Sequence, residues 1–333
     1  MISVVTTLFR SEPYIREFYR RCLDQLRRLG QEYEFVFVDD GSPDNSLGVV
    51  LELMMEDAAV RAVELSRNFG HHKAMMTGLQ HARGEFVFLI DVDLEEPPEC
   101  LESLWQQLAS SEADVSFGVQ SKRQGPLSGR ILGELYYTIY NWISVSPMPR
   151  NQLTARLMRR NYVEALLEYR EHRFAIETLW HLAGYRQVPV AINKHGYKGS
   201  SSYTLSHKLR LILDSITSTS ALPLVFISYA GLALTIPCGT YILWVLFQFV
   251  FLGVSVDGWT SLIVSIWFMG GFIIFNLGVV STYLSVIFTE VKRRPYTIVR
   301  KIYERNANDE GKRNHAGGPH QPVMRLTSES KWP

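Results

Sequence analysis

From Leu222 to Thr289 the only formally charged side chain is Asp257. Gly253-Val254-Ser255-Val256-Asp257-Gly258 divides this run into Leu222–Leu252 and Thr260–Thr289. Each part exceeds the ~20 apolar residues that cross a ~30 Å hydrocarbon core. A soluble core of ordinary size rarely holds two such stretches as a buried hairpin. Two transmembrane helices are therefore expected within 222–290. Pro237 and Gly270-Gly271 lie inside them, where neighbouring helices tolerate such residues. Lys208 and Arg210 precede the first stretch, Lys292, Arg293 and Arg294 follow the second, and the short connection has neither Lys nor Arg. The positive-inside rule then puts both ends on the cytoplasmic face of an integral membrane protein. Met1-Ile2-Ser3-Val4-Val5 runs straight into a strand-like segment without a basic leader, so no signal peptide is expected.

The part before this run has a different character. Of the 333 residues, 47% are hydrophobic and 20% charged, a balance that buries a core and excludes a largely disordered chain. A net charge of +1 gives no global attraction for nucleic acid, which is not expected as a partner. Cys22, Cys100 and Cys238 are too dispersed for a disulfide framework or a zinc knuckle. Short Val/Ile/Phe-rich runs at Ile2–Phe9, Phe35–Val38, Ala62–Leu65, Phe86–Ile90 and Val115–Val119 read as strands. Tyr14–Leu29, Leu47–Met55, Lys73–Ala82 and Glu99–Leu108 carry helical periodicity between them. Alternation of this kind predicts an α/β domain with a mostly parallel sheet.

The resulting division is a cytoplasmic domain over 1–204, an amphipathic juxtamembrane helix over 205–221, two transmembrane helices over 222–290, and a basic tail over 291–333. The tail is expected to be disordered from Asn306 onward, and Arg300 and Lys301 are candidates to lean on anionic head groups. Apolar stripes at Leu127, Ile131, Leu135 and Ile139, and at Leu205, Leu209, Ile212 and Ile216, fit either the membrane interface or an ordinary core.

Ligands of parallel sheets bind beyond the carboxyl ends of the strands. The acidic residues collect there. Val38-Asp39-Asp40-Gly41-Ser42-Pro43-Asp44 follows the second strand and Asp91-Val92-Asp93-Leu94-Glu95-Glu96-Pro97-Pro98-Glu99 the fourth. Alone, the first is also a common turn with a helix cap. In the second, carboxylates at i and i+2 of an extended chain share a side, and their repulsion calls for a cation. Mg²⁺ or Mn²⁺, held by one or two carboxylates and completed by substrate phosphates, meets that need. The two clusters together predict a nucleotide-diphosphate and metal site.

With Ser3-Val4-Val5-Thr6-Thr7-Leu8-Phe9 and Leu65-Ser66-Arg67-Asn68-Phe69-Gly70 added, the series resembles the family 2 glycosyltransferases of GT-A fold. It is most similar to the polyprenyl-phosphate glycosyltransferases, the class of dolichol-phosphate mannose synthase. The resemblance implies that Asp39 binds the base with Asp40 beside it, that Asp91 and Asp93 hold the metal, and that Glu95 is a weaker third ligand. It places Arg67 and Asn68 in the donor pocket, although Arg67 also fits a surface ion pair. Thr7 and Phe9 fall on the donor side, where Thr7-Leu8-Phe9-Arg10-Ser11 replaces the family's Pro-x-Tyr-Asn-Glu and Glu12 stands one place along. Adjacent His71 and His72 read as structural.

Two further departures concern the acceptor. Leu153-Thr154-Ala155-Arg156-Leu157 replaces the family's Gly-Asp-Phe-Arg-Leu, and Lys198-Gly199-Ser200-Ser201-Ser202-Tyr203-Thr204 resembles its Gly-x-Ser-Lys-Tyr-Ser. A phosphate monoester is already ionised and needs positive charge for positioning, not a general base for its proton. Thr154 in place of a carboxylate, Arg156, Lys194, Lys198 and the hydroxyl of Ser201 suit such an acceptor. The segment 198–204 also fits a polar linker. The expected activity is inverting transfer of one hexose from a nucleotide-diphosphate sugar, with UDP preferred by family frequency, to undecaprenyl or dolichyl phosphate. Asp93, Thr154 and Arg156 are its catalytic candidates. The alternatives are a processive polysaccharide synthase, disfavoured without a Gln-x-x-Arg-Trp segment, and a membrane-tethered nucleotide-sugar sensor or scaffold. Relatives with two spans make a homotetramer plausible.

Overall fold

The computed structural model describes residues 1–120, 151–172, 174–193, 222–252 and 258–305. The stripe beginning at Leu127, the acceptor segment with Lys194, Lys198 and Ser201, the juxtamembrane helix and the tail from Asn306 lie outside the described residues.

Full burial of Val, Ile and Phe side chains on both faces makes strands of β1 (Ile2–Leu8), β2 (Tyr33–Asp39), β3 (Val60–Leu65) and β4 (Phe86–Leu89). Between them run α1 (Ile15–Leu29), α2 (Ser46–Glu56) and α3 (His71–His81). α1 buries Ile15, Phe18, Cys22 and Leu26 on one stripe, and Gly30 closes it in a left-handed turn at φ 63°, donating to Arg27. Then follow α4 (Cys100–Ala109), β5 (Val115–Gln120), β6 (Gln152–Arg159), α5 (Arg160–Leu167), α6 (Ile176–Leu182), β7 (Gln187–Ile192) and β8 (Val299–Tyr303).

The strands form one sheet in the order β7-β5-β6-β4-β1-β2-β3-β8. β1 pairs in parallel with β2 and β4, and β2 with β3, so the ends of β1, β2 and β4 open on one edge. The expected parallel pairing holds for these strands and for β5 with β7. β6 runs antiparallel between β4 and β5, and β8 antiparallel to β3, which makes the sheet mixed. One core lies under α1, α2 and α4 and includes Val4, Phe35, Phe37 and Phe88. The other lies under α3, α5 and α6 and includes Val5, Val38, Met75, Met158 and Trp180.

Within the 291–333 segment, ahead of Asn306, β8 joins the sheet. Its two adjacent charges, Arg300 and Lys301, hid the strand in the sequence, and two of its side chains are satisfied by one carboxylate: Arg300 pairs with Glu64 at 2.9 Å and Tyr303 donates to the same residue at 2.8 Å. Arg300 is thus engaged within the sheet domain. Glu304 extends the clamp to Arg61 (3.3 Å) and Arg83 (2.8 Å), and the nearly buried Arg61 pairs in turn with buried Glu34 at 3.1 Å.

The second compact unit contains α7 (Leu222–Leu252) and α8 (Trp259–Val291). Within α8, Ser265–Val291 is long and apolar enough to cross a membrane. Its Trp267, Ile274 and Phe275 are more than half exposed, as suits contact with hydrocarbon.

Candidate active site

The parallel register ends with Leu8 opposite Asp39, so the chain leaves β1 and β2 side by side. Thr7, Asp40 and Asp91, at the ends of β1, β2 and β4, project toward the side covered by α3. Gly70 and the first turn of α3 meet them there. Phe69 N donates to Asp40 Oδ1 at 2.7 Å and Gly70 N to Oδ2 at 3.0 Å. Burial raises the Asp40 pKa and these two amides pull it back, leaving it above the ordinary value.

Asp39 is more strongly perturbed. It is 5% exposed, and burial, opposed by the Ser42 amide at 3.2 Å and reinforced by Glu64 and Asp40, lifts its pKa to about 6. Gly41 explains the turn between these acids and the next loop. Its φ is +64°, and a Cβ there would stand 2.6 Å from Arg67 C and Asn68 N. The Asp39–Ser42 turn and the Ser66–Gly70 loop are therefore packed backbone to backbone. In the latter, the Arg67 guanidinium lies 4.1 Å over the Phe69 ring and donates to the Asn68 carbonyl, and it makes no ion pair among the described residues. Arg67 and Asn68 are exposed beside the two buried aspartates.

The loop after β1 is tied to the same turn. Arg10 N donates to Ser42 Oγ at 2.8 Å with Arg10 at φ 56°, and Phe9 stays 46% exposed. Glu12 does not stand in for the family's acidic contact by geometry alone. Its carboxylate accepts from Asn45 N at 3.2 Å while its amide donates to Asp44, so it links the two loops. Burial raises the Asp44 carboxyl, but the Ser42 and Ser46 hydroxyls and two amides outweigh it and bring the pKa down to about 2.

His71, read as structural in the sequence, stands inside the site. Its Nδ1 lies 2.9 Å from Thr7 Oγ1 and its Nε2 3.2 Å from Asp91 Oδ1. Burial lowers its pKa, yet the bond and charge of Asp91, with Glu177 and Asp40, more than offset this and leave it raised. The only sequence signal was its position at a helix start beside a glycine loop. His72 instead approaches Glu177 at 3.6 Å.

After β4 the chain turns through Leu94 at φ 63°, and Asp93 Oδ1 accepts the Glu95 amide at 3.0 Å. Among the described residues no group of three or more His, Cys, Asp or Glu side chains comes together to hold a metal, so Asp91, Asp93 and Glu95 do not form a closed cage. Glu96, given no role in the sequence, is 2% exposed. It accepts Thr154 N at 3.2 Å and Ala155 N at 2.6 Å, which fixes the start of β6 against the carboxylate turn. Two residues on, Arg156 is fully buried with its guanidinium against Trp180, and burial lowers its pKa to about 9. Its Nη1 has no hydrogen-bond partner among the described residues. Arg156 is thus brought next to Thr154 in the chain but not to the surface.

An open α/β sheet with buried paired aspartates at its parallel strand ends is the architecture of a nucleotide-sugar-using transferase, and the glycosyl transferase family 2 model matches residues 3–167. The chain belongs to glycosyl transferase family 2. A Mycobacterium tuberculosis protein described among the glycosyltransferases is 44% identical over 302 residues, covering 91% of this chain and 88% of its own. The SfII prophage-derived bactoprenol glucosyl transferase of Shigella flexneri is 32% identical over 92% of this chain and 99% of its own. Among solved structures, S. aureus TarS 1-349 in complex with UDP-GlcNAc is 20% identical over 65% of each chain, with a TM-score of 0.45.

Proposed function

We propose that this protein transfers one hexose from a UDP-sugar to a polyprenyl phosphate at the cytoplasmic face of a membrane, with inversion at the anomeric carbon. The observation that carries the reading is the similarity, nearly end to end, to a bactoprenol glucosyl transferase, in a chain that has both buried acids at a sheet edge and a long apolar helix. The anchor in this reading is a pair of spans, with Leu222–Leu252 the first and both termini cytoplasmic.

In the donor half, Asp39 and Asp40 receive the nucleoside, Phe9, Arg67 and Asn68 border it, and Thr7 and His71 orient Asp91. The donor set at the end of β4 is all carboxylate oxygen, which fits Mg²⁺ or Mn²⁺ taking much of its shell from the diphosphate. Asp91 and Asp93 would hold it, with Glu95 near them, and bound there it neutralises charge developing on the leaving diphosphate. Asp93 is the residue on which that charge balance depends. In the acceptor half the lipid phosphate needs no general base. Thr154 leaves room for it, and Arg156, Lys198 and Ser201 supply the positive and hydroxyl groups that align its oxygen with the anomeric carbon. Arg156 reaches an anion only if Trp180 yields, since it is buried in this conformation.

The test is to incubate the purified full chain with a panel of labelled nucleotide sugars and polyprenyl phosphate. One donor should give a lipid-soluble product bearing a single sugar, lost with chelator and with Asp93→Asn while the variant still melts cooperatively. A polymer would indicate a processive synthase, no product with any donor a sensor or scaffold, and full activity of Asp93→Asn under chelation would overturn the metal assignment.

A further inference from the structure

The donor loop is held from outside the family 2 domain, by the strand that returns after the apolar helices. Between the pairs Glu64↔Lys301 and Leu65↔Val299, β8 has one residue more than β3, and that residue is Arg300. A bulge of this kind re-aims a side chain and commonly sits beside a functional site. Here it points the guanidinium along β3. Arg300 Nη1 donates to Glu64 Oε1 and Nη2 to the Ser66 carbonyl, both at 2.9 Å. The backbone repeats the grip two residues before Arg300, with Ser66 N donating to the Ile298 carbonyl at 2.9 Å. Thr297 completes it, its hydroxyl 2.8 Å from that of Thr77 on α3.

Ser66 is therefore held at both its N–H and its C=O by β8. From Ser66 the chain passes through Arg67 and Asn68, against which Gly41 is packed, to the Phe69 and Gly70 amides that bind Asp40. Glu64, the other partner of Arg300, lies opposite Asp39 in the β2–β3 register. Both aspartates of the donor site thus have a neighbour fixed by Arg300. We propose that Arg300 is a positioning residue for the nucleotide site, and that β8 makes the order of the donor loop depend on the segment following the apolar helices. The ordering stands on these contacts alone, whereas its effect on the donor rests on the proposed function.

The experiment compares the full-length wild type, Arg300→Ala and Arg300→Lys in detergent by amide hydrogen exchange and transfer kinetics. In Arg300→Ala the Phe69 and Gly70 amides should exchange about tenfold faster while those of Val4 and Val36 are unchanged. The KM for the nucleotide sugar should rise about fivefold to tenfold, with kcat and the acceptor KM held. Arg300→Lys, which keeps the charge but not the two-pronged grip, should fall between. Unchanged exchange at Phe69 and Gly70 would overturn the inference, as would acceleration throughout the sheet or equal losses in both KM values. Should Arg300→Ala fail to fold, Arg300→Lys is read by the same criteria. Should the wild type yield no transfer product, the proposed function falls and the exchange data alone decide this inference.

Discussion

Asp40 and Gly70 stand thirty residues apart in the chain and 3.0 Å apart in space, the carboxylate accepting the glycine amide while its other oxygen takes Phe69 N. One side chain thereby ties the end of β2 to the start of α3. Charge-assisted hydrogen bonds of this type are the strong ones, and removing their acceptor leaves two shielded amides unmet. Asp40→Ala should cost on the order of 2–4 kcal/mol, and Asp40→Asn, which keeps one acceptor oxygen, less. Urea unfolding of the two variants checks the order. Nucleoside diphosphate affinity should fall in both.

Asp39 predicts the opposite sign for stability. Its pKa is raised in the fold, from 3.8 to about 6, so the folded state holds the extra proton between those values. Stability contributed by this group is then full below about pH 3.8 and is lost as pH rises from there through about 6. Asp39→Asn should be near neutral at about pH 3.5 and more stable than wild type at pH 7.5, by on the order of 2 kcal/mol at most. It should also bind the nucleotide more weakly. Melting temperatures at the two pH values test this, and equal shifts at both would contradict it.

Much of this was readable from the residues, for a physical reason. β1 to β4 are buried on both faces, so their Val, Ile and Phe runs stand out, and acids placed straight after them mark the binding edge. β6 was not legible because Arg156 occupies an inward position of Gln152–Arg159 and breaks the apolar alternation. β7 carries Pro189 and is only partly buried, and β8 has Arg300 and Lys301 adjacent at its centre, which breaks any apolar alternation. The site divides in the same way. Asp39, Asp40 and Asp91 follow from strand ends, whereas the roles of His71 and Glu96 depend on which distant backbone or side chain they meet.

Glu96 separates the two halves of the proposed reaction. Its carboxylate holds the Thr154 and Ala155 amides, on the acceptor side. Glu96→Gln retains one acceptor oxygen and should raise the acceptor KM severalfold while the donor KM stays within about twofold of wild type. Steady-state kinetics with each substrate varied in turn decide it. A rise confined to the donor KM would place Glu96 in the other half.

Gly41 offers the sharpest steric test. At φ +64° any side chain is strained, and an added methyl would meet Arg67 C and Asn68 N at 2.6 Å, both backbone atoms that cannot rotate away. The loop from Ser66 to Gly70 would have to move, taking with it the amides that hold Asp40. Gly41→Ala should therefore destabilise the domain by about 2–4 kcal/mol and weaken nucleotide binding beyond what the stability loss explains. Gly30 provides the control. It too has a positive φ, 63°, but a Cβ there meets nothing within 4 Å. Gly30→Ala should cost only the conformational strain of about 1 kcal/mol and leave binding unchanged. Similar losses in the two variants, by urea unfolding and nucleotide titration, would mean that backbone strain alone, and not the packing of one loop on the other, sets the cost at Gly41.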